Sequence, residues 1–343
     1  MMLSPPMTAV LPSLAPRAID PAERTHLVAE IAHLRRERNA VILAHYYQEA
    51  DIQDVADFVG DSLQLAQQAA KTDAQVIAFA GVHFMAETAK ILNPGKRVVI
   101  PDLEAGCSLD ESAPAAEFEK WVRAHPGHVV ISYINCSAAV KALSDIICTS
   151  SNAEKVVRSV PAEKSILFAP DQHLGAWLVK KTGRKMTLWP GRCMVHDAFD
   201  VANLQALIDR HPDAEVIAHP ECPADVLALA DYVGSTSGLI ARVKADPSKT
   251  YILGTEAGIL HEIHKQAPTA HVIPLPPSRS NVLSTATEGR EHGCACAVCP
   301  HMRKNTLRKL AACLRDLTPE IDVAPDVAVK ARRSVERMLE ISK

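Results

Sequence analysis

Three β-branched, apolar runs, each ending in polar residues, recur at nearly constant spacing along the chain. They read VILAHYYQ at 41–48, VVISYINC at 129–136 and EVIAHPEC at 215–222. A Ser or Thr lies 17 residues after His45, Tyr133 and His219, at the end of the related phrases DFVGDS, DIICTS and DYVGST. A repeat of this length predicts three related structural units arranged around a shared centre.

Within each unit, the hydrophobic pattern predicts three strands separated by helices. The first strands are expected at 41–47, 129–135 and 215–221, each leading to a helix that contains DVADFV, LSDII or LALADYV. The later strands are expected at 76–81, 97–102, 165–170, 185–190, 250–255 and 270–275. Short apolar strands that alternate with helices indicate parallel sheets covered on both faces. The predicted fold is therefore α/β, with three pseudo-threefold-related αβα sandwich units whose short parallel sheets surround a central active site.

The unit boundaries follow from the repeat. The first unit is predicted to comprise 21–109 together with helices in 300–343, the second 110–194 and the third 195–299. Residues 1–20 lack a basic segment and are interrupted by prolines, which favours a disordered leader over a signal peptide. The absence of a membrane-length apolar run and of a signal peptide predicts a cytoplasmic protein.

Charge and composition restrict the function classes. The formal net charge is −3, with 37 basic and 40 acidic residues, and aromatic residues make up 4%. A nucleic-acid or membrane partner is therefore not expected, because both require basic surface and the former commonly uses base stacking. Nine cysteines in a reducing compartment indicate metal binding or catalysis rather than disulfide bonds.

Each predicted unit contributes cysteine after its third strand. Cys107 belongs to the first unit and Cys193 to the second. The third unit contains CACAVCP, with Cys294, Cys296 and Cys299. Three thiolates meeting at a shared axis would suit three irons of a 4Fe–4S cluster and leave the fourth iron open, as catalytic zinc keeps one position open. An open iron can act as a Lewis acid. CACAVCP alone is also compatible with half of a structural zinc site.

The polar residues at the strand ends predict a pocket. Residues two apart on a strand face the same side, which pairs His45 with Tyr47, Tyr133 with Asn135, and His219 with Glu221. The hydroxyls expected beside them are those of Ser62, Ser150, Ser235 and Thr236. These hydroxyls suit a carboxylate or phosphate at helix N-termini, although helix capping alone would also explain them. His196, three residues after Cys193, is a candidate acid or cation.

Ten ordered motifs between about residues 25 and 320 resemble quinolinate synthase, the iron–sulfur enzyme of NAD biosynthesis. They are HYYQ at 45–48, GDS at 60–62, AGCSL around Cys107, YINCSA at 133–138, CTSSNA at 148–153, PGRCMVH at 190–196, HPEC at 219–222, GSTSG at 234–238, GTE at 254–256 and CPHM at 299–302. The resemblance implies three αβα domains around a 4Fe–4S cluster with one open iron. It also implies a transferase that condenses iminoaspartate with dihydroxyacetone phosphate to quinolinate, releasing phosphate and water.

The resemblance further implies residue roles. The expected cluster ligands are Cys107, Cys193 and Cys299, and the expected substrate-binding residues are His45, Tyr47, Ser62, Tyr133, Asn135, Ser150, His196, His219, Glu221, Ser235 and Thr236. Among these, the expected catalytic acids and bases are Tyr47, Glu221, His196 and His45.

One departure concerns the last cysteines. Many bacterial members of the family carry CxxCxxC, but this chain has Gly293 at the first position and reads CxCxxC. Cys299 is the expected ligand because Pro300, which follows it, matches the family motif, and Cys296 is the alternative. The disulfide expected under oxidation pairs Cys296 with Cys299. L-aspartate oxidase is the expected supplier of iminoaspartate. The competing interpretations are an iron–sulfur hydro-lyase, a non-enzymatic iron–sulfur sensor and a zinc-stabilised binding module.

Overall fold

The computed structural model of the chain describes residues 19–278 and 296–343. The predicted leader, except for its last two residues, and Cys294 lie outside the described residues. Three four-stranded parallel sheets form the framework, and they share one strand order, in which the first strand lies between the second and the third and the fourth is at the far edge. This arrangement confirms the predicted α/β fold with three repeated αβα units.

The first sheet is built from residues that follow an N-terminal helix. Its strands are β1 (Ala40–His45), β2 (Phe58–Gly60), β3 (Val76–Ala80) and β4 (Arg97–Val99). The accompanying helices are α1 (Pro21–Glu37), α2 (Ala50–Val55), α3 (Ser62–Lys71) and α4 (His83–Leu92). β3 is buried along its whole length, as expected for a strand with helices on both faces of the sheet.

The second sheet repeats this pattern after two short helices. Its helices are α5 (Ser108–Ser112), α6 (Ala115–Arg123), α7 (Ala138–Ala142), α8 (Ala153–Ser159) and α9 (Gln172–Thr182). Its strands are β5 (Val129–Tyr133), β6 (Ile146–Cys148), β7 (Ile166–Ala169) and β8 (Met186–Leu188).

The third sheet follows a short 3₁₀ helix at His196–Ala198. Its helices are α10 (Val201–Arg210), α11 (Ala224–Ala228), α12 (Thr236–Ala245) and α13 (Ile259–Gln266). Its strands are β9 (Glu215–Ala218), β10 (Tyr232–Val233), β11 (Thr250–Gly254) and β12 (His271–Pro274).

The sequence pattern missed the second strand of every unit. The predicted helices extend through residues 58–59, 146–147 and 232–233, but these residues belong to β2, β6 and β10. The helices before them are only five or six residues long. A short apolar run is ambiguous between helix and strand, and here hydrogen bonding to the neighbouring first strand decides in favour of strand.

A repeated aspartate explains part of this preference. Asp57 accepts a hydrogen bond from the backbone N–H of Ile42, at 2.9 Å, and its own N–H donates to the carbonyl of the same residue. Asp145 and Asp231 make the same pair of bonds to Val130 and Val216. The aspartate that opens DFVGDS, DIICTS and DYVGST therefore fixes the start of each edge strand beside the first strand.

The C-terminal helices join the units together. A 3₁₀ helix at Met302–Lys304 precedes α14 (Leu307–Asp316) and α15 (Pro325–Ile341). α14 packs against α1, whereas α15 packs mainly against α7 and β6. The predicted boundaries of the three units remain a prediction. Among the described residues, no helix is long and apolar enough to cross a membrane.

Candidate active site

A cavity lies where the three units meet, at the carboxyl ends of their first strands. Open parallel sheets commonly bind ligands at this edge. The sequence-predicted site residues that line the cavity are His45, Tyr47, Ser62, Cys107, Tyr133, Asn135, Ser150, Cys193, His196, His219, Glu221, Thr236 and Cys299. The repeat therefore brings together side chains from all three units.

Ser235 is the predicted site residue that does not line the cavity. It is the N-cap of α12, where its hydroxyl accepts a hydrogen bond from the backbone N–H of Gly238 at 3.2 Å. Thr236, the next residue, does face the cavity. The local helix-capping explanation therefore accounts for Ser235, and its role in substrate binding remains a prediction.

The prediction that strand alternation pairs the polar residues of each unit was wrong. The first strands end at His45, Tyr133 and Ala218, so Tyr47, Asn135 and Glu221 lie in the turns that follow. A turn, rather than a strand alternation, places both members of each pair in the cavity. In two units the turn is closed in the same way: the N–H of Tyr47 donates to Nδ1 of His45, and that of Glu221 to Nδ1 of His219.

Glu221 is the centre of the polar network and is 3% exposed. Its Oε1 accepts a hydrogen bond from the Tyr133 hydroxyl at 2.5 Å, and its Oε2 lies 3.0 Å from Nδ1 of His196. Burial raises the pKa of the Glu221 carboxyl, but His196, His219 and the Tyr133 hydroxyl lower it by more. The net pKa is below its usual range, so Glu221 is ionised at neutral pH.

The two tyrosines differ in their partners. Tyr47 contacts the hydroxyls of Thr255 and Thr236 through its Oη, at 2.7 and 3.1 Å. Tyr133 donates to Glu221. Burial is the main reason that the pKa of each phenol lies well above its usual value. Both hydroxyls therefore remain protonated and can serve as proton or hydrogen-bond donors.

His45 and His219 are neutral bases at pH 7. Burial lowers the pKa of His45 to about 4 and that of His219 to about 3. Because Nδ1 of each ring accepts a backbone N–H, the ring proton of each lies on Nε2. His219 also stacks on His196, with ring centroids 4.8 Å apart.

The three cysteines predicted as cluster ligands open into the same cavity. Cys107 is the N-cap residue of α5, Cys193 lies in the loop after β8, and Cys299 immediately precedes the segment that leads to α14. None of the three forms a disulfide bond with another described cysteine. Burial raises the pKa of all three thiols, that of Cys299 to about 11.

The donor set fits an iron–sulfur cluster. Sulfur is the ligand that such clusters take, and a positively charged metal removes the cost of ionising a buried thiol. The cavity wall beside the thiols is also apolar, since Val82, Phe84, Met85 and Met302 line it. Three cysteines are one fewer than the usual four, which is the condition for an open iron.

Sequence reasoning did not single out Asp61, which lines the cavity and joins the three units. Its Oδ2 accepts hydrogen bonds from the hydroxyls of Ser151, at 2.6 Å, and Ser237, at 2.5 Å. Its Oδ1 caps α3 through the N–H of Gln64. The only signal was its place in the GDS motif, because contacts between units are not visible in a local pattern.

Glu256, the last residue of the GTE motif, lines the cavity and also binds backbone N–H groups. It lines the cavity, is fully buried, and accepts backbone N–H bonds from Gly258 and Cys299, at 2.6 and 3.1 Å. Arg303 lies 3.4 Å from the same carboxylate. Glu256 thereby holds the backbone of the Cys299 loop in position.

The contacts of Asp61 yield a stability prediction. We expect Asp61→Ala to lower the free energy of unfolding by about 2–4 kcal/mol, because it removes a helix cap and two inter-unit hydrogen bonds to a carboxylate. The measurement is the Tm of the variant by circular dichroism. Asp246→Ala, at an exposed position, is the matched control and should change the Tm far less. Equal losses for the two variants would contradict the inter-unit role of Asp61.

Comparison with known proteins adds an independent line of information. The family model described as quinolinate synthetase A protein matches residues 29–340. The chain is 54% identical over 316 residues to the quinolinate synthase of Trichormus variabilis, a match that covers 92% of this chain and 94% of the relative. It is 54% identical over 317 residues to the quinolinate synthase of Chloroherpeton thalassium, covering 92% and 95% respectively.

Proposed function

Because this chain belongs to the quinolinate synthetase A family, we propose that it is a transferase that condenses iminoaspartate with dihydroxyacetone phosphate. The products are quinolinate, phosphate and water, and the reaction is a step of NAD biosynthesis. The observation that carries this proposal is the meeting of three thiols and a buried acid–base network in one cavity between the units.

Cys107, Cys193 and Cys299 are the proposed ligands of a 4Fe–4S cluster. When bound, the cluster supplies a Lewis acid at the iron that lacks a cysteine ligand. Cys296 lies close in sequence but does not line the cavity, whereas Cys299 does. That difference supports Cys299 over the alternative ligand. A reducing cytoplasm, in which thiols remain available for metal binding, is part of the proposal.

Substrate binding is proposed to use hydroxyls and helix N-termini. Among the described residues that line the cavity there is no Lys or Arg. α3 and α12 begin at Ser62 and Thr236, so their N-terminal amides and hydroxyls are available to a carboxylate or a phosphate. Within the described part of the chain, the buried Oδ1 of Asn135 has no hydrogen-bond partner, which leaves it available to accept from an amine or hydroxyl of the substrate.

Proton transfer is proposed to centre on Glu221. The condensation requires a proton to leave the carbon next to the imine of iminoaspartate, and hydroxyl groups to depart as water after protonation. Glu221 is ionised and buried, which suits it as the base, and Tyr133 shares a hydrogen bond with it. On the other walls, the hydroxyl of Tyr47 and the neutral Nε2–H groups of His45 and His219 are hydrogen-bond donors to the substrate. Positioned acids and bases of this kind typically contribute about 10²–10⁴-fold each.

His196 is proposed to connect the thiol side of the cavity with the proton-transfer side. Its Nδ1 lies 3.1 Å from Sγ of Cys193 and 3.0 Å from Oε2 of Glu221, and its Nε2 lies 2.9 Å from Oγ1 of Thr255. The contact with Thr255 continues to the hydroxyl of Tyr47. A proton can therefore move between Glu221 and Tyr47 through hydrogen-bonded groups without crossing bulk water.

The test is an assay for the pyridine product. We expect anaerobically purified protein supplied with iminoaspartate and dihydroxyacetone phosphate to form quinolinate, identified by mass and ultraviolet absorption, with one phosphate released per quinolinate. Iminoaspartate can be generated in the assay by L-aspartate oxidase, the proposed supplier. Dehydration of hydroxy acids without formation of a pyridine would instead support the hydro-lyase, and a brown protein with neither activity would support the sensor.

A further inference from the structure

Three side chains of different chemistry form a compact group on one wall of the cavity. One ligand atom from each of Cys193, His196 and Glu221 lies within 4.8 Å of the other two. The centre of the group is Nδ1 of His196, which lies 3.1 Å from Sγ and 3.0 Å from Oε2. In the described part of the chain, no other set of His, Cys, Asp and Glu side chains is arranged as closely.

We propose that the protein without its cluster binds a single zinc ion at Cys193, His196 and Glu221. Zinc is bound tetrahedrally by thiolate, imidazole and carboxylate at about 2.0–2.3 Å, so two of its ligand atoms are separated by roughly 3–4 Å. The Nδ1 distances to Sγ and Oε2 are already of that size. Three protein ligands with water in the fourth position is the usual arrangement of a zinc ion that faces a cavity.

The partners of the His196 and Glu221 side chains prepare the group for a metal. Nε2 of His196 lies 2.9 Å from Thr255 Oγ1, which can accept a hydrogen bond from the Nε2–H group. The ring proton then stays on Nε2, and the lone pair of Nδ1 is directed at the site. Oε1 of Glu221 accepts from the Tyr133 hydroxyl, which leaves Oε2 on the side of Nδ1. His196 is thus held through Nε2 and Glu221 through Oε1, which leaves Nδ1 and Oε2 to face the proposed ion.

Zinc and the cluster would compete for this wall of the cavity, because both require Cys193. The competition rests on the proposed cluster, whereas the zinc site rests on the triad alone. Zinc bound here would leave Cys107 and Cys299 without a role in holding the ion, since neither belongs to the group. Incorporation of zinc before iron would therefore block cluster assembly by occupying one of its three thiolates.

The experiment uses Co²⁺ as a spectroscopic substitute for zinc, added anaerobically to the full-length, cluster-free protein. We expect one Co²⁺ per chain, with a sulfur-to-cobalt charge-transfer band and the intense visible bands of a four-coordinate ion, both removed by one equivalent of Zn²⁺. Cys193→Ala, His196→Ala and Glu221→Gln should each weaken binding by more than the roughly tenfold to hundredfold typical of losing an outer partner. Cys107→Ala and Cys299→Ala are the matched controls and should retain the bands.

Two outcomes would overturn the zinc site. One is wild-type protein without a charge-transfer band. The other is loss of the bands in Cys107→Ala and Cys299→Ala as complete as in Cys193→Ala, which would show that three thiolates hold the ion. Thr255→Val provides a second readout that leaves all three ligands in place: we expect cobalt affinity to fall by about tenfold to hundredfold. Unchanged affinity in Thr255→Val would contradict the proposed orientation of His196.

Discussion

Glu221→Gln is expected to lower kcat for quinolinate formation by about 10²–10⁴-fold while leaving the protein folded and its iron content close to that of wild type. The amide keeps the size of the side chain but cannot take a proton from the substrate. It also alters the contacts with His196 and Tyr133, both of which hydrogen-bond or ion-pair with the carboxylate. The measurement is steady-state kinetics, with the Tm and the iron content recorded for the same preparation.

Glu215→Gln is the matched control for that substitution. Glu215 opens β9, the strand that precedes Glu221, but its carboxylate pairs with Arg242 and Lys249 and does not line the cavity. Because Glu215 has no contact with the cavity, kcat should be unchanged in this variant. A Glu221→Gln protein with near-normal kcat would remove Glu221 from the proposed proton transfer.

Cys193→Ala is expected to abolish a stable 4Fe–4S cluster and, with it, quinolinate formation. Two remaining thiolates cannot hold a cluster that normally uses four and for which we propose three. The measurement is iron and acid-labile sulfide per chain after anaerobic purification, together with the visible spectrum. Cys107→Ala and Cys299→Ala should give the same loss, because all three thiols line one cavity.

Cys313→Ala is the control for the effect of removing a buried thiol. Cys313 lies in α14 and is 1% exposed, but it packs against α1 and the first sheet and does not line the cavity. Its loss should lower stability slightly and leave the iron content unchanged. Full iron and sulfide in Cys193→Ala would contradict the proposed ligand set, and loss in Cys296→Ala but not in Cys299→Ala would move the third ligand to Cys296.

The repeat made much of the architecture predictable from sequence. Equivalent residues such as His45, Tyr133 and His219 mark the ends of equivalent strands or the residue just after them, and the carboxyl ends of parallel strands meet at one edge. The 17-residue offset to Ser62, Ser150 and Thr236 spans a short helix and an edge strand, which returns the chain to the same edge. Hence all six residues face the cavity.

The failures of prediction have two physical causes. Short apolar runs such as Ile146–Cys148 are compatible with helix or strand, and only pairing with a neighbouring strand determines which one forms. The second cause is that contacts between units join residues far apart in the sequence. The hydrogen bonds of Asp61 to Ser151 and Ser237 span 90 and 176 residues. No local pattern reports an interaction at that separation.

Turn geometry explains why the paired residues were located correctly for an incorrect reason. Tyr47 and Glu221 reach the cavity because the backbone N–H of each bonds to the histidine ring two residues earlier. Alternation along a strand would place the same residues on one side, so both explanations predict the same location. The structure distinguishes them because β1 ends at His45 and β9 ends at Ala218.

The most direct test of the central claim is Mössbauer spectroscopy of the ⁵⁷Fe-enriched protein, recorded with and without quinolinate. If three cysteines hold the cluster and one iron is open, the signal of one iron in four should change on addition of the product, and the other three should remain as they were. Four equivalent irons that do not respond to quinolinate would contradict the account.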